Sequence, residues 1–434
     1  MHTEDPAPSH WASSLSNLSR NQLAERAAAY SCERQRRTSW EVQGFDSRRL
    51  SAPKPWTTYR GPTGQVHEGI NFLSSDYLGL SSHPAVQQAA IVAIRRDGFH
   101  SAGTHIHGGL MPIADTLSEG LGELLHQPYV SLHASGWSAG YDAMVALVKP
   151  EDAVLLDAQS ADPLRLGAQR ATRNITHFHH LNLNHAETLL QRLRKRRPRQ
   201  TLFLVTSALF PIDGATADLQ ALALLAAHYG ASLVVDVTHD LGCMGPQGGG
   251  ELEVQSSLGK VDVIVGSFSS TFATPGGFVA VRRANVRDYL LAHAPTQKDS
   301  TVLGPAQIAT AQAALAVVRS PEGSARRAAL RRAVLALRAC LVERHLTVLG
   351  NPGPIVTIPV DSPVIAQGIV RHCTEHNMLL SFTSSSSKSG ARTCLELRLM
   401  AGHEPALMRE VAAKIAEFIT SLKENETRPL LSDA

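Results

Sequence analysis

Several things are scarce in this sequence. Of its 434 residues, 5% are aromatic and 18% are charged, against 43% hydrophobic. Net charge is only +3 at neutral pH, too little to favour nucleic acid or an anionic membrane as a partner. No apolar run is long enough to cross a bilayer. The opening "MHTEDPAPSHW" lacks the basic segment and apolar stretch of a secretory leader. The five cysteines, Cys32, Cys243, Cys340, Cys373 and Cys394, are odd in number, far apart, and form no C-x-x-C pair. That argues against a disulfide framework or a zinc site and for reduced thiols in a cytoplasm. No internal repeat is present.

What remains is a soluble-type chain with mean hydropathy −0.08, long enough for two domains. Residues 1–65 read as an irregular polar arm with a helical stretch near "NQLAERAAAYSCERQRR". From Gly69 onward, strands and helices alternate. "DAVLLD" (152–157), "QTLFLVTSA" (200–208), "ASLVVDV" (231–237) and "VDVIVGS" (261–267) are short, nearly continuous apolar runs. Such runs predict parallel strands covered on both faces. "DLQALALLAAHYG" (218–230) predicts a helix with Asp218 as N-cap and Gly230 as C-cap. The expected organisation is an arm over 1–65, a large α/β domain over 66–320, a smaller C-terminal α+β domain over 321–425 and a tail over 426–434. In the small domain, "PIVTIPV" and "CLELRLM" read as strands. The basic amphipathic "RRAALRRAVLALRACLVER" and the closing "EPALMREVAAKIAEFITSLKE" read as helices, the last with Leu407, Val411, Ile415, Ile419 and Leu422 on one face.

In parallel sheets ligands sit beyond the carboxyl ends of the strands, where Thr206, Asp236 and Ser267 should converge. "LVVDVTHD" (233–240) places Asp236 at a strand end with His239 three residues on. The pair suits a cationic ring nitrogen, or it is an ordinary strand-end carboxylate with a solvated histidine. "HASGWSAGYDAM" (133–144) places small residues and Trp137 at a helix start. It reads as a phosphate cradle or a plain turn. The histidines His100, His105 and His107, and His177, His179, His180 and His185, would need ligand spacing and nearby carboxylates to hold a metal; on a strand "HFHH" (177–180) would point to alternate faces, and the other reading is ordinary surface and packing histidines. The basic run "QRLRKRRPRQ" (191–200) fits the solvated C-terminus of a helix. "VGSFSSTFATPGGFVAV" (265–281) crowds five hydroxyls into a turn between strands, with no charge.

Taken together, "INFLSSDYLGLSSHPAVQQAA" (70–90), "AGTHIHGGLMPIADTLSEGLGELL" (102–125), "SGWSAG", "ALFPIDGATADL", "VVDVTHDLGCMGPQGGG" and "GSFSSTFATPGGFVAV" resemble, in order and spacing, the α-oxoamine synthases. These are aminotransferase class I/II-type enzymes of pyridoxal 5′-phosphate (PLP) fold type I. The resemblance covers roughly residues 65–425. It implies a mostly parallel seven-stranded sheet, a small C-terminal domain, and acyl transfer between an acyl thioester and an amino acid. It also implies that Asp236 pairs with the PLP pyridinium nitrogen. His239 would lie against the cofactor's phenolic oxygen or the substrate. Ser267 and the backbone at Gly136 and Trp137 would hold the phosphate. The site would lie at a dimer interface, with Ser300 or Thr301 of the neighbouring chain near the phosphate.

The departures are as informative. Ser270 stands where the family's T-F-S-K-T-F motif carries the Schiff-base lysine. A hydroxyl forms no imine, and the base for the substrate proton is lost with the amine. Ala161 falls where the family stacks a histidine on the PLP ring, Ser207 where a glutamate is usual, and Ala114 where a histidine is common. Cys394 falls where an arginine clamps the substrate carboxylate, with Arg392 and Arg398 nearby but out of register. Two expectations follow. One is a catalytically degenerate homologue, a homodimer or the partner of an active paralogue, as in lysine-free subunits of this family. The other is an enzyme with lysine-independent chemistry on non-covalently bound PLP, with His239 or Lys298 as base. No metal is expected.

Overall fold

The computed structural model describes residues 24–25, 27–28, 48–61, 64–387 and 390–427. Most of the helical stretch expected near 21–37, including Cys32, lies outside them, as do residues 1–23 and 428–434. In chain order the strands are β1 (Arg48–Arg49), β2 (Trp56–Arg60), β3 (Val66–Asn71), β4 (Tyr129–His133), β5 (Ala153–Asp157), β6 (Ile175–Phe178) and β7 (Leu202–Ser207). They continue with β8 (Ala231–Asp236), β9 (Val263–Ser267), β10 (Gly277–Val281), β11 (Ile355–Val360), β12 (Met378–Leu379), β13 (Ser381–Ser387) and β14 (Gly390–Arg398).

The chain forms two compact units. One comprises Ser75–Pro211 and Ala215–Leu330. The other takes the described residues up to Ser74, Ile212–Gly214, and the chain from Arg331 onward. The strand pair β2–β3, which straddles residue 65, thus lies with the C-terminal segment, because β12 pairs in parallel with β3, Met378 opposite Ile70.

The larger unit holds a seven-stranded sheet in the order β4-β10-β9-β8-β7-β5-β6. All its neighbours are parallel except β10, which runs antiparallel to both β4 and β9. Every residue of β5, β7, β9 and β10 is buried. Successive side chains point to opposite faces, so both faces of the sheet are covered. Helix Gly136–Leu147 packs on β9 and β10, and helix Leu219–Tyr229 on β8. The latter has the expected caps. The Asp218 carboxylate accepts from the Ala221 N–H at 2.9 Å, and Gly230 closes it at φ 59°. The expected "HFHH" strand is shorter: β6 stops at Phe178, and His179 and His180 lie in the following turn. There the Asp157 carboxylate holds His180 Nδ1 at 2.7 Å and the Leu181 N–H at 2.9 Å, which bends the chain out of the sheet.

The second unit carries two sheets, β1-β2-β3-β12 and β11-β14-β13, with helices Pro363–Glu375 and Pro405–Thr427. Val411, Ile415 and Ile419 are buried on one face of the closing helix, as its periodicity requires; Leu422 lies outside the described side chains. The four described cysteines are free thiols, all buried. No helix of the described residues is long and apolar enough to cross a membrane, and no group of His, Cys, Asp or Glu among them could hold a metal.

Candidate cofactor site

Parallel pairing lines up the carboxyl ends of β7, β8 and β9, with Ser207 opposite Asp236 and Asp236 opposite Val265. The main chain around Asp236 is fixed on both sides. Ala208 N–H donates to Asp236 O, and Val237 N–H donates to Val265 O, each at 2.8 Å. The half-buried Asp236 carboxylate accepts from the Thr238 N–H at 2.8 Å. Burial pushes this carboxyl above its usual range, and the hydrogen bond from Thr238 opposes that. No cation among the described residues pairs with it. A carboxyl at a strand end, raised by desolvation and without a counter-cation, suits a ligand that brings its own positive charge.

Three residues on, His239 Nδ1 lies 3.0 Å from the hydroxyl of Tyr77, a fully buried side chain. No local pattern signals this bond, since Tyr77 sits 162 residues away in a stretch that stands out only for the family resemblance.

The next strand end carries the hydroxyl-rich turn. Ser267 Oγ lies 2.7 Å from Ser269 Oγ, accepts from the Ser269 N–H at 3.2 Å, and donates to Gly276 O at 3.3 Å. The turn is anchored from below by rings: Phe268 packs against Phe272 and Phe278 with centroids 5.8 and 5.7 Å apart. Ser270 and Thr271 are buried.

Facing Ser267 is the start of helix Gly136–Leu147. Ser135 caps it in a reciprocal box with Ser138. A Cβ added to Gly136 would fall 2.5 Å from Ser267 Oγ, so the serine hydroxyl lies directly against the first helical turn. The N–H groups of Gly136 and Trp137 have no acceptor among the described residues. Two orphan amides and a hydroxyl at a helix N-terminus suit a phosphate. Trp137 is 51% exposed and stacks on Tyr141 at an interplanar angle of 16°.

The structure therefore brings Asp236, Ser267, Gly136 and Trp137 to one edge of the sheet, with Thr206 in the last pair of β7. It does not join Thr301 to them by any hydrogen bond among the described residues; the neighbouring Val302 N–H donates to Gly103 O at 3.1 Å. Ala161 opens helix Asp162–Ala171 and offers it no side-chain cap, Ser207 is buried at the end of β7, and Ala114 is buried in helix Pro112–Leu125. In the other unit, Cys394 is fully buried on β14, its thiol pushed up to about 11 by desolvation. Strand alternation puts Arg392 and Arg398 on the same face as Cys394. Arg398 is engaged by Glu396, while Arg392 lies 4.0 Å from Asp213. A separate open hollow of about 470 Å³, lined by His180–Asn184, lies past the end of β6 and shares no residue with this site.

The model of the aminotransferase class I and II family matches residues 67–415. An 8-amino-7-oxononanoate synthase of Geobacter sulfurreducens is 30% identical over 351 residues, 81% of this chain and 89% of that protein. The putative 8-amino-7-oxononanoate synthase 2 of Mycobacterium tuberculosis is 32% identical over 320 residues, which is 72% of this chain but only 40% of that longer protein. Among solved structures, a serine palmitoyltransferase from S. paucimobilis with bound PLP–myriocin aldimine superposes with a TM-score of 0.85 at 20% identity, covering 92% of this chain and 99% of that one. The fold is thus that of the fold-type I PLP transferases. The chain belongs to the aminotransferase class I and II family and, within it, to the α-oxoamine synthases.

Proposed function

We propose that this chain is a catalytically degenerate α-oxoamine synthase homologue, which binds PLP non-covalently and acts as one subunit of a homodimer or of a heterodimer with an active paralogue. Ser270 carries the reading: it is a buried hydroxyl in the turn, at the position that the resemblance assigns to the family's lysine. The remaining groups fit the cofactor's two ends. Asp236 would face its ring nitrogen, and Ser267 with the Gly136 and Trp137 amides would hold its phosphate. Bound there, PLP supplies an electron sink. The chain itself offers no amine at position 270 to anchor the cofactor or to take the substrate's proton. Ala161 provides no ring to stack, and Cys394 no charge for a carboxylate.

A second reading, an acyltransferase-like enzyme with lysine-independent chemistry, draws support from the Asp236 carboxyl and the Tyr77-held His239, which leave the ring end of the site furnished. Lys298, exposed in helix Pro295–Asp299, is its alternative base. Amino acids and acyl thioesters are the ligands of either reading.

Calorimetry with PLP, followed by borohydride reduction and peptide mapping, tests the proposal. Reversible binding that disappears in Asp236→Ala, with no pyridoxyl-lysine peptide, is expected. A lysine-linked pyridoxyl peptide refutes it. Turnover in a panel of amino acids and acyl thioesters selects the second reading over the first.

A further inference from the structure

Behind the helix that begins at Gly136 lies a polar network with no part in cofactor contact. Asp142 and His133 are 0% and 1% exposed. Asp142 Oδ2 lies 3.1 Å from His133 Nδ1 and accepts from the Thr296 hydroxyl, while Oδ1 takes the Thr296 N–H at 3.4 Å. The Gln297 amide donates to Leu132 O at 2.9 Å and lies 3.0 Å from His133 Nδ1. His133 Nε2 lies 3.2 Å from Ser131 Oγ, which donates to Val279 O at 3.3 Å. The order Ser131–His133–Asp142 is that of a hydrolytic relay. All three are buried, however, and Ser131 sits mid-strand between paired neighbours, so no substrate reaches its hydroxyl.

Buried polar groups are costly unless every one is satisfied, and a satisfied network fixes one arrangement. The element held here needs such fixing. Helix Pro295–Asp299 has five residues, too few to persist alone. It leads directly into Ser300, Thr301 and Val302, and Val302 is tied in turn to Gly103 and to the Ser101 hydroxyl.

We infer that Asp142 is a positioning residue that locks segment 295–301 to the helix whose first turn is the phosphate cradle, so that the Gly136 and Trp137 amides are braced by that segment. The link to phosphate rests on the cofactor reading above; the mechanical lock does not. The network's members come from four places in the chain: strand β4, helix Gly136–Leu147, strand β10 and helix Pro295–Asp299.

Hydrogen exchange and PLP calorimetry on the full chain test it, using Asp142→Asn and, as the milder change, Thr296→Val, with Thr296→Ser retaining the hydroxyl. Amide exchange over 295–301 should rise at least about tenfold in Thr296→Val and Asp142→Asn, and PLP affinity should fall about tenfold, as when an outer-shell partner of a binding site is lost. Thr296→Ser should match wild type. Unchanged exchange in Thr296→Val overturns the lock. Faster exchange without weaker PLP binding limits the lock to the fold and refutes its role at the site. A wild type that binds no PLP removes the cofactor reading, and the exchange measurements alone then decide the lock.

Discussion

Replacing Gly136 by alanine sets two effects of opposite sign against each other. Alanine is the better helix former by about 1 kcal/mol in a helix interior, so propensity alone predicts stabilisation. The surroundings predict the reverse. A Cβ at 136 would stand 2.3 Å from Ser267 Cβ, 2.5 Å from its Oγ and 3.0 Å from its Cα. Carbon atoms in contact prefer about 3.5–4.0 Å, so helix and strand must part by roughly 1 Å. The other side offers no room. A Cβ on Gly277 would meet Gly136 Cα at 2.5 Å and Gly136 N at 2.7 Å. Gly277 is itself paired with Ser267 on β9 and His133 on β4, so it cannot retreat without breaking a ladder. Overpacking of this kind costs about 1–3 kcal/mol. Position 136 is the first of the helix, where the propensity gain is small, so sterics should win by roughly 1–2 kcal/mol. Urea unfolding should show a lower midpoint with an unchanged slope. PLP binding by calorimetry should weaken, because Ser267 leaves the helix start. Gly136→Ala combined with Gly277→Ala should cost less than the sum, since both push the same helix start away from the strands. A Gly136→Ala protein as stable as wild type, binding PLP as tightly, would refute the close approach as what holds the cradle together.

Ser270→Lys should yield a pyridoxyl-lysine peptide at 270 after borohydride reduction, yet leave turnover at background, because Ala161 and Cys394 stay unchanged; mass mapping and the acyl-thioester assay check both halves. Asp240 is fully buried, and burial pushes its carboxyl well up; the Glu251 N–H it accepts opposes that, while the Glu251 and Asp236 charges add to it. The folded chain therefore holds this proton more tightly than the unfolded one. The stability it contributes is full below about pH 4, the unfolded carboxyl's range, and declines as pH rises through the folded value. Asp240→Asn should remove that decline, so the variant should gain on wild type in urea midpoints measured from pH 4 to 9; a parallel pair of profiles would contradict it. Asp218→Ala removes the cap on the Ala221 N–H and should cost about 1 kcal/mol in the same assay.

The alternation of apolar runs and helices determined the parallel sheet, because a strand buried on both faces has no polar side to show. Local chemistry likewise determined the caps of helix Leu219–Tyr229, since Asp218 and Gly230 act within one turn of their own position. The stretch "SFSSTF" was legible as a family motif with serine at its fourth place. Other features depend on contacts between residues distant in the chain. Tyr77 finds His239 across 162 residues, and Thr296 finds Asp142 across 154; neither pair leaves a periodic trace. Arg392, Cys394 and Arg398 looked merely displaced from one another until strand alternation put them on one face. Gly136 read as part of a phosphate cradle or as a plain turn at a helix start. Only the approach of Ser267 made the absence of its side chain matter, because steric exclusion belongs to two segments at once and is written in neither.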